Sequence, residues 1–441
     1  MSDFLQTLIA TIAVGSLYAL VALGYTLVYG ILKFINFAHS DIFVLGAWTT
    51  FCSSTIILSV LGVDAEHAPW WVGVCVFLLA IAICSTTGYC IERFAYRPLR
   101  KAPRLNVLIT AIGVSLLLQN VGQLPGWTVA RGPEKVVTKD AASLTTEERA
   151  TNPTIKDGVA TLRTPGDPLA TLPFGASPKP APTLLPDAVL NETIIADGIA
   201  SGGSKRGVIK LDKPVDLTEG RQYRLEMTRI ANAAGDRRVE MLNIVPKSGR
   251  SEAGTELDTQ PRRDPAELEG AAYRLVLTPL VPIRLLDVLI VGSSLILMVG
   301  LQALVFRTKL GAAMRAVSFN IDNASLMGVN VNFVISFTFV LGTSLAAAAS
   351  FLYAMKYPGL QQTASGVWVL LGLKAFVAAV VGGIGNVRGA VLGGFLIAGI
   401  EFFGARYIST ELRDVYVFGL LILVLLVRPS GLLGTTVREK V

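Results

Sequence analysis

Long apolar runs joined by short polar connections fill both ends of the chain. Residues 4–30, 42–61, 70–91 and 105–125 form four such runs, and 284–306, 333–355, 366–384, 389–405 and 414–427 form five more. Most approach the ~20 residues that a helix needs to cross a bilayer. The pattern predicts an all-α polytopic membrane protein with about 8–9 transmembrane helices, the run at 389–405 being short enough for a tilted or broken crossing. Between 126 and 283 the long apolar runs stop. The chain therefore divides into an N-terminal transmembrane part (1–125, about four spans), an insertion (126–283) and a C-terminal transmembrane part (284–441, about four to five spans).

The insertion has two halves. Through about Ser204 it is rich in Pro, Thr, Ala and Asp with little periodicity, and is expected to be loop-rich. Beyond that, VIKLDKPVDL, RQYRLEMTRI, RRVEMLNIVP and AAYRLVLTPL read as strands separated by turn signals at Thr218–Gly220 and Ala234–Asp236. Two of them share YRLxxT, at Tyr223–Thr228 and Tyr273–Thr278, an echo that alternation in two strands accounts for. A soluble β-rich extracytoplasmic domain is expected, either as a spacer or as a docking surface for an extracytoplasmic partner.

Charge sets the expected orientation. ERFAYRPLRKAPR, residues 92–104, holds five Lys or Arg and is assigned to the cytoplasm. The N-terminus and the insertion 126–283 then lie outside, and residues 307–331 and the C-terminus inside. Outside the insertion, thirteen Lys and Arg fall in the inner connections and tail against four in the outer ones, Arg284, Lys356, Arg406 and Arg413. Trp70, Trp71, Trp127 and Trp368 fall at outer ends, where amphipathic rings sit at a membrane interface.

The composition, 52% hydrophobic and 16% charged, agrees with a membrane protein. The insertion carries 21 basic and 21 acidic residues, so the net charge of +7 belongs to the membrane parts, at the ends of apolar runs. Orientation explains that charge, and nucleic acid is not an expected partner. Cys52, Cys75, Cys84 and Cys90 lie within apolar runs without metal-type spacing and read as packing residues. Met1–Gln6 has no basic segment, so the first run is expected to stay in the membrane rather than act as a cleaved signal.

No phosphate-binding GxxxxGK[ST], GxSxG, HExxH or CxxC pattern occurs, and no enzymatic turnover, cofactor or metal is expected. GGIGNVRGAVLGG lacks the strand–turn–helix context and the acidic residue of a dinucleotide loop. Its Gly385, Gly389 and Gly393 fall four apart, a spacing that serves close helix packing or an elbow in a moving helix. His67 reads as a solvated loop residue. Asn36, His39 and Asp41 form a polar cluster in INFAHSD, between two spans. They either line a translocation path or make a turn in which Asp41 caps the second span. Lys374 and Glu401 are charges inside consecutive spans, candidates for the path or for mutual neutralisation.

Residues 307–331, RTKLGAAMRAVSFNIDNASLMGVNV, form a moderately polar connection opening with Arg307, Lys309 and Arg315. This stretch is expected to couple the membrane part to a cytoplasmic partner. The competing possibility is an ordinary amphipathic surface helix.

GYTLVYGILKFINFAHSDIFVLGAW (24–48), RTKLGAAMRAVSFNIDNASLMGVNV, KAFVAAVVGGIGNVRGAVLGG and ELRDVYVFGLLILVLLVRPSGLLG resemble, in this order, the blocks of permease subunits of branched-chain amino-acid ABC transporters. The resemblance implies a bacterial inner-membrane subunit forming half of a translocation path. It also implies a second permease subunit, two cytoplasmic ATPases and an extracytoplasmic substrate-binding protein as partners. ATP hydrolysis would belong to the partners. Urea and short-chain amide transporters use similar permeases, and a channel or secondary transporter working alone is the alternative from another class. Within 307–331, the resemblance marks Arg315, Asp322, Ala324 and Gly328 as coupling residues: Ala324 and Gly328 have the small-residue-then-glycine spacing of a helix seated in an ATPase groove, with Asp322 in place of the usual glutamate. The chain departs from the family pattern at Ser40, where glycine is usual and a stiffer turn is expected, and in its 158-residue insertion.

Overall fold

The structure is a computed structural model describing residues 2–63, 68–100, 102–123, 127–131, 135–140, 154–156, 159–164, 168–172, 179–180, 184–199, 201–202, 208–217, 223–230, 237–244, 252–260, 272–357, 359–360 and 366–434. His67 lies outside the described residues. The apolar runs become helices α1 (Ser2–Leu32), α2 (Ala38–Leu61), α3 (Trp70–Cys90), α4 (Arg104–Gln123) and α5 (Leu285–Arg307). The polar connection forms α6 (Lys309–Phe319) and α7 (Ile321–Leu326), followed by α8 (Val331–Lys356), α9 (Gly366–Gly382), α10 (Val387–Tyr407) and α11 (Arg413–Val427). Among the described residues, seven helices are long and apolar enough to cross a membrane: α1 to α5, α8 and α10. The remaining two runs, α9 with 17 residues and α11 with 15, also fold as helices. At ~1.5 Å per residue they fall short of a ~30 Å hydrocarbon core unless the bilayer or flanking residues adjust.

Contacts divide the chain into two compact units. One comprises Met1–Gln6 and Asp187–Leu285, the other Thr7–Pro186 and Leu286–Val441. In the helical unit α1 is the central element, buried continuously from Ala13 to Val28 because it is apolar on every face. α4 and α5 instead expose Leu116, Leu117, Ile296 and Val299, the pattern of helices that face lipid. Small residues bring the inner helices together. A β-carbon on Gly394 of α10 would lie 2.6 Å from the Ala19 nitrogen of α1, and one on Gly393 would lie 2.0 Å from the Ala378 carbonyl oxygen of α9. α3 does not stop at the basic segment but continues as a π-helical turn, Ile91–Tyr96, and a 3-10 turn, Arg97–Leu99.

The first half of the insertion contains more regular structure than its composition suggests. Its backbone forms β1 (Trp127–Arg131), β2 (Lys135–Asp140), β3 (Thr154–Lys156), β4 (Val159–Thr164), β5 (Pro168–Leu172) and β6 (Lys179–Pro180). These pair as β1–β5 and β2–β4–β3, and they belong to the same unit as the helices. The β-rich unit is thus shorter than the expected 126–283 block. Short β-branched runs such as KVVTK and VATLRT between prolines are enough to pair.

The β-rich unit is a seven-stranded sheet of β7 (Thr193–Ile199), β8 (Ser201–Gly202), β9 (Val208–Leu217), β10 (Tyr223–Ile230), β11 (Arg237–Ile244), β12 (Glu252–Gln260) and β13 (Ala272–Leu277). Its order is β7-β13-β10-β11-β12-β9-β8, with antiparallel neighbours. The YRLxxT echo falls on the neighbours β10 and β13, where Leu225 pairs with Leu275 and Met227 with Tyr273. Tyr223, Leu225, Met227, Tyr273 and Leu275 form the core of the sheet with Leu211 and Ile244, as alternation toward one face requires.

Candidate functional site

Asn36, His39 and Asp41 are all buried where α1, α2, α3 and α4 meet. Asn36 precedes α2 and accepts a 2.6 Å hydrogen bond from the Tyr96 hydroxyl in the π-helical turn after α3. His39 is 1% exposed, and its ring lies edge-on to Tyr25 with centroids 4.5 Å apart. The ring fills the space a side chain at Gly24 would need, since a β-carbon there would lie 2.4 Å from Nε2. Neither ring nitrogen bonds another side chain among the described residues; the polar group beside the ring is the Val21 backbone of α1.

Asp41 does not cap α2. The helix begins at Ala38 and has no side-chain cap; Asp41 lies a turn inside it and accepts hydrogen bonds from the Ser115 hydroxyl and, at 2.8 Å, from Gln119 Nε2 on α4. Ser40 also lies within this helix rather than in a turn. Its hydroxyl donates to the Phe37 carbonyl, and a β-carbon at Gly372 of α9 would lie 2.3 Å from the Ser40 β-carbon. Serine at 40 therefore fills a helix contact that the glycine at 372 leaves open.

α9 links this cluster to the second one. Gly372 and Phe376, one turn apart, face Ser40, Phe37 and Tyr25, whereas Lys374 between them points away. Lys374 Nζ lies 2.8 Å from Glu401 Oε1 on α10 and 2.7 Å from Asp414 Oδ1 on α11. Tyr18 of α1 donates to Glu401 Oε2 at 2.9 Å, and Arg413 Nε stands 3.8 Å from Oε1. A buried pair, Lys374 and Glu401, thus meets a half-exposed pair, Asp414 and Arg413, at the edge of an apolar bundle. In a water-poor site such a group persists only if charges and hydrogen bonds are mutually satisfied.

The connection 307–331 is built by three caps. Thr308 Oγ1 accepts from Gly311 N at 3.0 Å, Asn320 Oδ1 from Asn323 N at 2.9 Å and Asn330 Oδ1 from Phe333 N at 3.1 Å, starting α6, α7 and α8. Arg315 donates to the Val305 carbonyl and lies 5.6 Å over the Phe306 ring. Asp322 is exposed. Ala324, expected on the face offered to a partner, is instead 3% exposed and packs into the core of its own chain. The cap at Asn320 sets the phase of α7 so that this small residue turns inward. The most exposed large apolar side chains here are Phe319 (93%), Leu326 (87%) and Met327 (85%). Gly328 holds φ at 83°, a left-handed turn that returns the chain to α8.

Of the three spaced glycines, Gly389 and Gly393 lie on α10 against the backbone of α9. Gly385 precedes the helix with φ of 93° and cannot share that helical face, because α10 starts only at Val387. Trp70 and Trp71 are exposed at the start of α3, and the side chains of Trp127 and Trp368 lie outside the described residues.

Four polar links escape sequence reading. Besides Tyr18 and Asp414, buried Glu92 pairs with Arg100 and accepts from the Ser336 hydroxyl, while Arg100 Nη1 donates to Asn332 at 2.7 Å. Burial pulls the Arg100 guanidinium below its ordinary pKa, and the Glu92 carboxylate opposes that shift. Asp287 of α5 pairs with Lys356 of α8. Acids at span ends, Glu92 and Asp287, were the available signal; Tyr18 offered none. The Glu92 link puts the basic segment 92–104 beside the start of α8, at the same end of the bundle as 307–331.

Residues 7–150 and 261–425 match the family described as branched-chain amino acid transport system / permease component. The chain is similar to the high-affinity branched-chain amino acid transport system permease protein BraD of Pseudomonas aeruginosa, 31% identical over 438 residues, 99% of this chain and 98% of that protein. It is also similar to the permease proteins LivH of the corresponding systems of Salmonella typhimurium and Escherichia coli, each 28% identical with the same shares covered. No solved structure matches the chain.

Proposed function

Because the chain belongs to the branched-chain amino acid transport permease family, we propose that it is the membrane subunit of an ATP-driven importer of branched-chain amino acids, forming half of the path and coupled to a separate ATPase. The similarity to BraD along nearly the whole of both chains carries this reading. A second permease subunit, two cytoplasmic ATPases and an extracytoplasmic binding protein complete the machine. The end bearing 92–104 and 307–331 faces the cytoplasm, as the excess of Lys and Arg supports, with the N-terminus and the insertion outside.

Coupling runs through α6 and α7. Phe319, Leu326 and Met327 are large apolar side chains on a short polar segment, and an ATPase groove would cover them. Arg315 and Asp322 flank them, and Gly328 fixes the turn. The path is lined by Asn36, His39, Asp41, Lys374 and Glu401. An amino acid is a zwitterion, and Lys374 and Arg413 beside Glu401 and Asp414 offer counter-charges to both of its ends. ATP on one side and the loaded binding protein on the other must favour different conformations, since a ligand with equal affinity for both shifts nothing. The test is accumulation of labelled leucine in proteoliposomes holding the chain with its partners. Leucine uptake that urea or acetamide does not compete supports the reading, and uptake of urea without leucine overturns it.

A further inference from the structure

We propose that the cavity at the Lys33 end of the helical unit is a binding site for a phosphate-bearing anion. The cavity, about 810 Å³ and open on one side, is lined by the end of α1, the junction of α5 and α6, the turn between α9 and α10, and residues of the segment 429–434. Lys33 and Arg315 contribute two cations to its wall and Tyr29 and Ser430 contribute hydroxyls, while Ser318 and Asn386 already bond within the chain. No Asp or Glu is among the lining residues. This is the reverse of the Lys374 cluster, where every cation has a carboxylate.

Two features of the helix ends place positive charge at this wall. α10, 21 residues long, starts at the cavity wall, so the positive end of its dipole adds to the two cations. Lys33 is the only non-glycine residue with positive φ among the described residues, at 57°. Lys33 closes α1, its N–H donating to the Tyr29 carbonyl at 2.9 Å, and this left-handed helix end sets the lysine at the cavity wall.

The charge pattern selects the ligand class. A zwitterion would bring its ammonium into a wall without a carboxylate, and a neutral amide would gain little from two cations. A phosphate matches both cations and the helix end. Arg315 retains free donors for it, because the Val305 carbonyl engages only one guanidinium nitrogen. A lipid phosphodiester and a soluble phosphate present the same chemistry here.

The test uses the purified full chain in maltoside detergent, with its thermal midpoint followed by tryptophan fluorescence. One arm adds pyrophosphate against chloride of equal ionic strength; the other adds phosphatidylglycerol against phosphatidylcholine. A saturable rise in midpoint is expected with at least one phosphate probe over its control. A rise with phosphatidylglycerol alone assigns the site to lipid, and a rise with pyrophosphate to a soluble phosphate. Lys33→Gln should weaken the apparent affinity at least about tenfold. Lys33→Gly removes the charge and relieves the left-handed backbone, so it should raise the ligand-free midpoint while losing the anion response. No response to either probe, or wild-type titrations for both Lys33 variants, overturns the proposal.

Discussion

Lys374 and Lys33 lie in one helical unit, and their surroundings are opposite. Lys374 is buried within 2.8 Å of Glu401 and 2.7 Å of Asp414, and a tyrosine hydroxyl completes the glutamate. Lys33 is exposed, strained in its backbone, and set in a cavity wall without a carboxylate. On α6 and in and just after α7, Phe319, Leu326 and Met327 are uncovered. Where charge is balanced internally, the chain can hold a charged cluster inside an apolar bundle by itself. Where cations and large apolar side chains are left open, the surface has room for something outside the chain. The first arrangement suits a path, the second a place where partners and ligands bind.

The largest effect is expected from Lys374→Met. It leaves Glu401 and Asp414 without their nearest cation, and breaking a buried pair costs about 3–5 kcal/mol. Uptake should be abolished while the chain still reaches the membrane fraction. Adding Glu401→Gln should recover thermal stability and not uptake; recovery of both would reduce the pair to a structural clamp.

A smaller effect is expected from Leu326→Asp with Met327→Asp. Both positions are exposed, so the isolated chain should change by no more than ~0.5 kcal/mol per site, while coupling of ATP hydrolysis to uptake is lost. Gly328→Asp should uncouple likewise, with about 1–2 kcal/mol of added backbone strain, since no atom within 4 Å would clash with a β-carbon there. Unchanged transport in these variants would remove 307–331 from the coupling role.

Asp41→Asn should cost about 1–3 kcal/mol by weakening the link to Ser115 and Gln119, read as a lower thermal midpoint with partial uptake. The smallest effect is expected from removing residues 193–277, the sheet, with a short linker in its place. Uptake should persist if the sheet is a spacer, and its loss would make the sheet a docking element.

The helices were legible because each apolar run is long enough to declare itself, and β9, β10, β11 and β13 because their residues alternate. β12 was not, since EAGTELDTQ carries almost no apolar alternation and is held by its neighbours. Lys374 and Glu401 could be singled out as charges in apolar runs. Tyr18 and Asp414 could not be joined to them, because such contacts depend on how helices pack. Ala324 and Gly385 went astray for a related reason. Spacing placed them correctly along the chain, but the cap at Asn320 and the helix start at Val387 decide which way each one faces.

The most direct measurement is leucine accumulation in proteoliposomes containing the chain, its partner permease, the ATPases and the binding protein, with and without internal ATP. Concentrative uptake is expected only with ATP, and it should disappear in Leu326→Asp/Met327→Asp while ATP is still hydrolysed. Equal leucine accumulation without ATP would contradict an ATP-coupled permease and point to a transporter that works alone.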